Sequence, residues 1–300
     1  MKSNKTYKLL ILLFLTANYS LNAQSLLDKL DGEYTDKPIY EIATFKMTRI
    51  GLGHSIETRK KGALEISLYN RYWNIPNFGG ERFLADKVST RYGLEYAFTD
   101  NFTAGLGYTN FDEITDGYLK YRLVKQQKGA KKTPITLTLL QTISSRKTII
   151  TDLYGKESSS NNYAFASQVL IARKFNPNLS VQITPTFIHR GNNSTNNDPN
   201  NQFAIGFGGR HKIGSHASVV SEYYYVANPL KSVQTYNTFM VGVNWELSHL
   251  LLQFHVTNAR NFAEDTFITQ TKHNFNFKDP NLHFGFNATF ILHTKKKKLK

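Results

Sequence analysis

From Ala63 onward the chain repeats one pattern: segments of about eleven residues in which apolar and polar side chains alternate, separated by turn-forming residues. The last segment is the clearest. Leu282, Phe284, Phe286, Ala288, Phe290 and Leu292 hold one set of alternate positions, and His283, Gly285, Asn287 and Thr289 hold the other. Strand side chains point to opposite faces in turn, so this segment has one apolar side and one polar side. The rule returns in Phe239, Val241, Val243, Trp245 and Leu247 against Gly242, Asn244 and Glu246, and in Leu250, Leu252, Phe254 and Val256 against Gln253, His255 and Thr257.

Twelve segments follow it: 63–73, 88–98, 102–111, 117–125, 134–146, 160–175, 178–190, 201–212, 216–227, 236–247, 249–260 and 282–293. An eleven-residue strand is ~36 Å long, and a tilt of ~40° leaves ~28 Å of height, close to the ~25 Å apolar band of outer-membrane barrels. Strands of soluble sandwiches run to ~5–6 residues. Tight links at 99–101, 176–178, 213–215 and 248–249 face longer polar ones at 74–87, 147–159, 191–200, 228–235 and 261–281. Short turns at one end and long loops at the other are the habit of such barrels, although 112–116 and 126–133 break the parity. The pattern therefore predicts an all-β fold: a transmembrane up-and-down β-barrel of twelve antiparallel strands, with fourteen as the alternative and both chain ends in the periplasm. Tyr223, Tyr225, Tyr236, Trp245, Phe98 and Phe175 fall near strand ends, where amphipathic rings suit the headgroup zone.

Composition agrees with this reading. A hydrophobic content of 40% and a mean hydropathy of −0.40 exclude a bundle of membrane helices. An aromatic content of 13% is too high for a disordered chain. With no cysteine, the chain has no disulfide, thiolate metal site, cysteine nucleophile or lipid-modified N-terminal cysteine. The N-terminus reads as an export signal: Lys2, Lys5 and Lys8, an apolar run from Leu9 to Ala17, and a cleavage site after Leu21-Asn22-Ala23. Cleavage near Ala23 removes three lysines, lowering the formal charge from +15 to +12. Export to the outer membrane argues against the nucleic-acid partner that a basic chain first suggests. The expected organisation is a signal at 1–23, a periplasmic or plug segment at 24–62, the barrel at 63–293 and a basic tail at 294–300, whose lysines suit either solvent or a periplasmic partner.

Several local stretches are familiar: Thr44-Phe45-Lys46-Met47-Thr48-Arg49-Ile50, His54-Ser55-Ile56-Glu57-Thr58, Asp116-Gly117-Tyr118-Leu119-Lys120-Tyr121, Leu170-Ile171-Ala172-Arg173-Lys174-Phe175, Ser221-Glu222-Tyr223-Tyr224-Tyr225, Leu252-Gln253-Phe254-His255-Val256-Thr257-Asn258 and His283-Phe284-Gly285-Phe286-Asn287. Together, from about residue 40 to 292, they resemble an uncharacterised outer-membrane β-barrel family of Gram-negative bacteria, a domain of unknown function. The resemblance implies an outer-membrane barrel and carries over no catalytic residue. The chain departs from outer-membrane barrels generally in continuing ten residues past Phe290.

With the apolar face turned to outer-membrane lipid, parity sends Glu65, Arg71, Arg91, Glu95, Lys120, Arg122, Arg210, Lys212, Glu222 and Glu246 inward, together with His255 and His283. Two readings stay open. One is a narrow, charge-paired, nearly filled barrel; the other is a watery path whose small positive excess favours anions. Gly105, Gly107, Gly206, Gly208 and Gly242 also face inward and leave room for bulky neighbours or an inserted segment. The candidate insert is 42–58, with Arg49, His54 and Glu57 meeting inward charges, against the alternative of a strand or tail packed in the periplasm.

Signals for catalysis are poor. There is no His-Glu-x-x-His and no Gly-x-Ser-x-Gly. A metal held by His255 and His283 near Glu246 is a weaker reading than ordinary lumen hydrogen bonding, so no metal and no cofactor are expected. A membrane esterase needs an outward Ser–His pair, and the outward positions near His189 and His211 offer no convincing serine partner. The sequence thus favours a non-enzymatic passive pore for small solutes or anions. A non-conducting scaffold that binds a partner comes second and an esterase third.

Overall fold

Long alternating strands have a strict requirement. Each backbone N–H and C=O along them must find a partner, and an open edge in lipid would leave a whole row without one. The computed structural model, which describes residues 38–73, 86–129, 132–151, 157–191, 197–277 and 282–293, meets the requirement by closure. Twelve antiparallel strands form one closed barrel. They are β1 (Ala63–Trp73), β2 (Lys87–Ala97), β3 (Phe102–Thr109), β4 (Ile114–Val124), β5 (Thr136–Thr151), β6 (Glu157–Lys174), β7 (Leu179–Arg190), β8 (Asn201–Lys212), β9 (Ala217–Val226), β10 (Thr238–Leu247), β11 (Leu250–Thr257) and β12 (His283–His293). Each pairs with its sequence neighbours, and β12 returns to β1 with Gly285 opposite Arg71 and Phe290 opposite Ile66. The alternative of fourteen strands is set aside.

Alternation sorts the side chains as expected. Leu94, Leu106, Leu119 and Phe203 are exposed on the outer surface, while Glu95, Lys120 and Gln202 from the same strands are buried. Phe98, Phe175, Tyr225 and Trp245 are exposed close to strand ends, and Phe98 packs against Tyr96 and Phe102 at 5.0 and 5.6 Å. The inner face is not uniformly polar. Leu140, Leu170, Ile188, Val220 and Met240 are buried there, in a cluster with Phe45, Ile50, Leu52 and Ile56.

Three details depart from the sequence reading. β4 begins at Ile114 rather than 117, because Glu113 adopts a left-handed φ of 48° that turns the chain early. Asp116 thereby joins the inward row with Tyr118, Lys120 and Arg122. Residues 147–159, expected as a loop, continue β5 and β6 as a ladder that reaches Thr151 opposite Glu157. The β-branched run Thr148-Ile149-Ile150-Thr151 favours extended backbone without needing alternation. The link 261–281, expected as a plain polar loop, contains a buried helix, α1 (Glu264–Thr269).

Among the tight links, β10 and β11 meet through Ser248-His249 alone, with Ser248 at φ 47°, the positive value that two-residue hairpins require. Separately, Ile39–Tyr40 pairs antiparallel with Gln127–Lys128 in a two-stranded sheet of its own, and Gln127 and Thr133 exchange backbone hydrogen bonds there. The expected signal, the residues up to 37 and the basic tail lie outside the described residues.

Gly242 shows how tightly the wall is drawn. A Cβ there would stand 2.5 Å from His255 Cβ and 2.6 Å from the Phe254 carbonyl oxygen, so backbone would have to move. Gly242→Ala is expected to cost about 1–3 kcal/mol of stability. Gly214→Ala, in open space, is expected to cost nothing measurable. Urea midpoints of the two variants in micelles check this.

Candidate functional site in the barrel interior

Residues 47–57 form an irregular loop whose polar backbone is buried. Arg49 and His54 face each other across an antiparallel bridge, Ile50 N donates to Gly53 O at 2.9 Å, and Ser55 N donates to Thr48 O at 2.9 Å. Arg49 Nη1 closes the turn on Leu52 O at 2.7 Å. The turn itself is Gly51-Leu52-Gly53. A Cβ on Gly51 would overlap Met240 Cε, and one on Gly53 would overlap the Tyr224 hydroxyl, so backbone lies directly against wall side chains.

A buried loop without regular structure must satisfy its N–H and C=O groups somewhere. Here the strands' inward side chains do so. Glu222 accepts from Leu52 N at 2.5 Å and from Gly53 N at 3.1 Å. Gln182 accepts from Ile56 N at 2.9 Å and donates to His54 O at 2.8 Å. Gln253 donates to Ile50 O at 2.6 Å, Thr138 to Ile56 O at 3.1 Å, and Asn287 to Gly51 O at 3.4 Å. Lys120 Nζ reaches Thr48 O at 3.0 Å and Glu57 O at 3.2 Å. Ile50 fills the space left by Gly208, where a Cβ would stand 2.4 Å from its Cδ1.

The remaining charged candidates other than Lys212 have specific partners. Glu65 accepts from Thr48 Oγ1 at 2.8 Å and pairs with Arg59 at 2.6 Å. Arg91 holds Asp116 through two bonds of 2.8 and 2.5 Å, and Glu95 accepts from the Tyr118 hydroxyl. Arg71 donates to Asn70 O and Asn287 Oδ1 and lies 4.6 Å above the Phe262 ring. Arg122 donates to Asp100 O at 2.7 Å and comes within 3.9 Å of Glu57. Arg210 pairs with Glu246 at 3.1 Å, and Lys46 reaches the other oxygen of Glu246 at 2.9 Å. Lys212 is half-buried at the end of β8.

Of the expected insert residues, Glu57 meets charged groups of the wall, whereas the carboxylate that Arg49 and His54 meet lies in the connection that carries α1. Arg49 Nη1 pairs with Glu264 at 2.9 Å. His54 Nε2 is 3.4 Å from the same oxygen, and its ring packs edge-on to Tyr118 at 4.3 Å. Burial first, then the cations Arg49, Lys120 and Arg91, hold the His54 imidazole well below its ordinary pKa. It is therefore neutral, and its contact with Glu264 is not an ion pair. Burial raises the pKa of Glu264, and Arg49 opposes that shift. α1 is anchored in turn: Asp265 accepts from Ser144 at 2.7 Å, Arg190 donates to Asp265 O at 2.8 Å, and Tyr224 packs on Phe267 at 5.3 Å.

Sequence reasoning missed Glu264, Asp116, Gln182 and Gln253. Glu264 had a signal: Phe262, Ala263, Phe267 and Ile268 are apolar at helical spacing inside a polar connection. Asp116 was hidden by the late start given to β4. The glutamines carry no signal beyond their parity. The suggested metal trio does not assemble, because Glu246 pairs with Leu251, four residues along β11 from His255. His189 Nδ1 contacts Asn201 Oδ1 at 2.7 Å, an amide rather than a serine.

Residues 45–292 match a family described as a membrane bound beta barrel domain (DUF5777). Among solved structures the chain is similar to the KdgM porin, at 9% identity over 76% of this chain and 99% of that one, with a TM-score of 0.48. It is similar also to the COG4313 outer membrane channel from Pseudomonas putida F1, at 14% identity over 79% and 98% of the two chains, with a TM-score of 0.45. The NanC porin matches at 8% identity over 77% and 100%, with a TM-score of 0.45. No curated protein matches the chain.

Glu222 and Glu246 allow a contrast within the site. Glu222→Gln removes the charge that two buried N–H groups share and presents a donor to one of them, with an expected loss of about 1.5–3 kcal/mol. Glu246→Gln, at a rim partly open to water, is expected to lose less than about 1 kcal/mol. Urea unfolding followed by tryptophan emission measures both, and equal losses would contradict the contrast.

Proposed function

The chain belongs to the membrane bound beta barrel domain family, and from that premise we propose that it is an outer-membrane channel for small solutes, closed in this conformation by its own residues 44–58. One observation carries the reading. The inward side chains of β4, β5, β7, β9, β11 and β12 spend their hydrogen bonds on the backbone of 48–57, while the ladder that closes the barrel makes no use of that segment. A barrel built only as a wall fills its lumen most simply with pairs between its own inward side chains, as Arg91 and Asp116 do over Gly107. A separate segment held by the wall can leave without opening any strand pair.

The alternative of a scaffold with a permanently closed interior rests on the depth of this burial. Thr48, Ile50 and Lys120 are almost inaccessible. The cavity beside Arg49, Glu65 and Tyr118 is about 10 Å³, barely one water. In the channel reading the long connections face outward, the chain ends are periplasmic, and withdrawal of 44–58 is the opening step. No step of bond chemistry is assigned to the interior.

Planar-bilayer recording separates the two. The full chain is expected to open rarely and briefly, and a chain lacking 24–58 to conduct steadily. Equal conductance of the two overturns the plug. Silence in both, with the barrel shown to be folded, overturns the channel and leaves the scaffold.

A further inference from the structure

At the end of the barrel where β1 finishes and β12 begins, a cavity of about 140 Å³ lies between the wall and the connection that carries α1. Among the described residues its charge is one-sided: Arg146, Arg260 and Lys272 line it, against the carboxylate of Asp112. The Arg260 guanidinium carbon lies 5.5 Å from the centre of the Trp73 ring and 4.8 Å from that of Phe111, with Asp112 at 3.3 Å. Trp73 is itself fixed, with Phe111 and His283 packed edge-on at 5.1 and 5.6 Å.

Two groups lining this cavity are incomplete. His283 is 3% exposed, yet among the described residues neither ring nitrogen has a hydrogen-bond partner, and Arg146 Nε is buried and equally unpartnered. A buried donor left without an acceptor costs about 1–3 kcal/mol, so a native protein carries such a set where something else completes it. His273 reports the local field. Burial, followed by the charges of Arg260 and Lys272, holds its imidazole below the ordinary value.

We propose that this cavity binds a small organic anion, a carboxylate carried on a six-membered ring. The carboxylate accepts from Arg146, Arg260 and His283, and the ring lies in the space beside the Trp73 indole. The volume suits it: a cavity of about 150 Å³ admits a benzene ring. Guanidinium groups recognise carboxylates through paired N–H donors, and a neighbouring indole adds apolar contact that an inorganic anion cannot use. The site is separate from segment 44–58 and does not depend on whether the barrel conducts.

The chain has two tryptophans, Trp73 and Trp245, and Trp245 is half exposed on the outer surface. Trp245→Phe therefore leaves Trp73 as the sole reporter. In that background, in micelles, benzoate is expected to change the emission saturably, while benzamide, the neutral analogue of the same shape, does not. Adding Arg260→Gln or Arg146→Gln is expected to weaken benzoate roughly tenfold or more. Emission that ignores benzoate, or that answers benzamide equally, overturns the proposal. So does unchanged benzoate affinity in both arginine variants. Because no current is read, this outcome is independent of the bilayer result.

Discussion

The structure depends on one constraint: where water is excluded, every backbone N–H and C=O must find its partner within the protein. The strands satisfy it by closing on themselves, which leaves no edge. Closure creates a second problem inside, because a ring of inward polar side chains also needs partners and cannot all reach one another. Segment 47–57 has the complementary difficulty, a buried backbone with little regular hydrogen bonding. The two deficits answer each other. Glu222 takes two N–H groups, Gln182 takes one N–H and one C=O, and Lys120 takes two C=O groups.

This exchange requires close approach, and small residues allow it on both sides. Gly51 and Gly53 bring backbone against Met240 and Tyr224, and Gly208 on the wall receives Ile50. The apolar side chains of the segment then have a place to go, against Leu170, Ile188 and Val220 on the inner face. Polar satisfaction and apolar packing thus act at the same residues, and a change in either disturbs both.

The barrel was legible in the sequence because alternation is itself the physical requirement for a wall with lipid on one side. Twelve strands, their order and the inward row follow from period and turn spacing. The partners of that row were not legible. Parity says that Glu222 and Lys120 point inward, but their partners are main-chain groups, which any sequence would supply and none advertises. Arg49 and His54 were expected against wall charges and instead meet Glu264, which lies in a connection whose length hid a six-residue helix. The ladder from Thr151 to Glu157 escaped because it is held by backbone pairing in a stretch with no apolar face to reveal it.

Partner identity also changes what the inward charges mean. Six basic and four acidic residues counted by parity suggest an interior that prefers anions. That count omits Asp116, Glu57 and Glu264, which answer Arg91, Arg122 and Arg49. It also treats Lys120 and Arg71 as free charges, although carbonyl and amide oxygens coordinate them. A buried cation whose head group is held by neutral dipoles is a fixed structural element. It attracts a passing anion only if that coordination is given up, at a cost of several kcal/mol. The proposed anion site therefore lies where cations converge on space that is still empty. In this barrel that place is the cavity beside Trp73, where, among the described residues, Arg146 and Arg260 outnumber Asp112 and His283 has no partner.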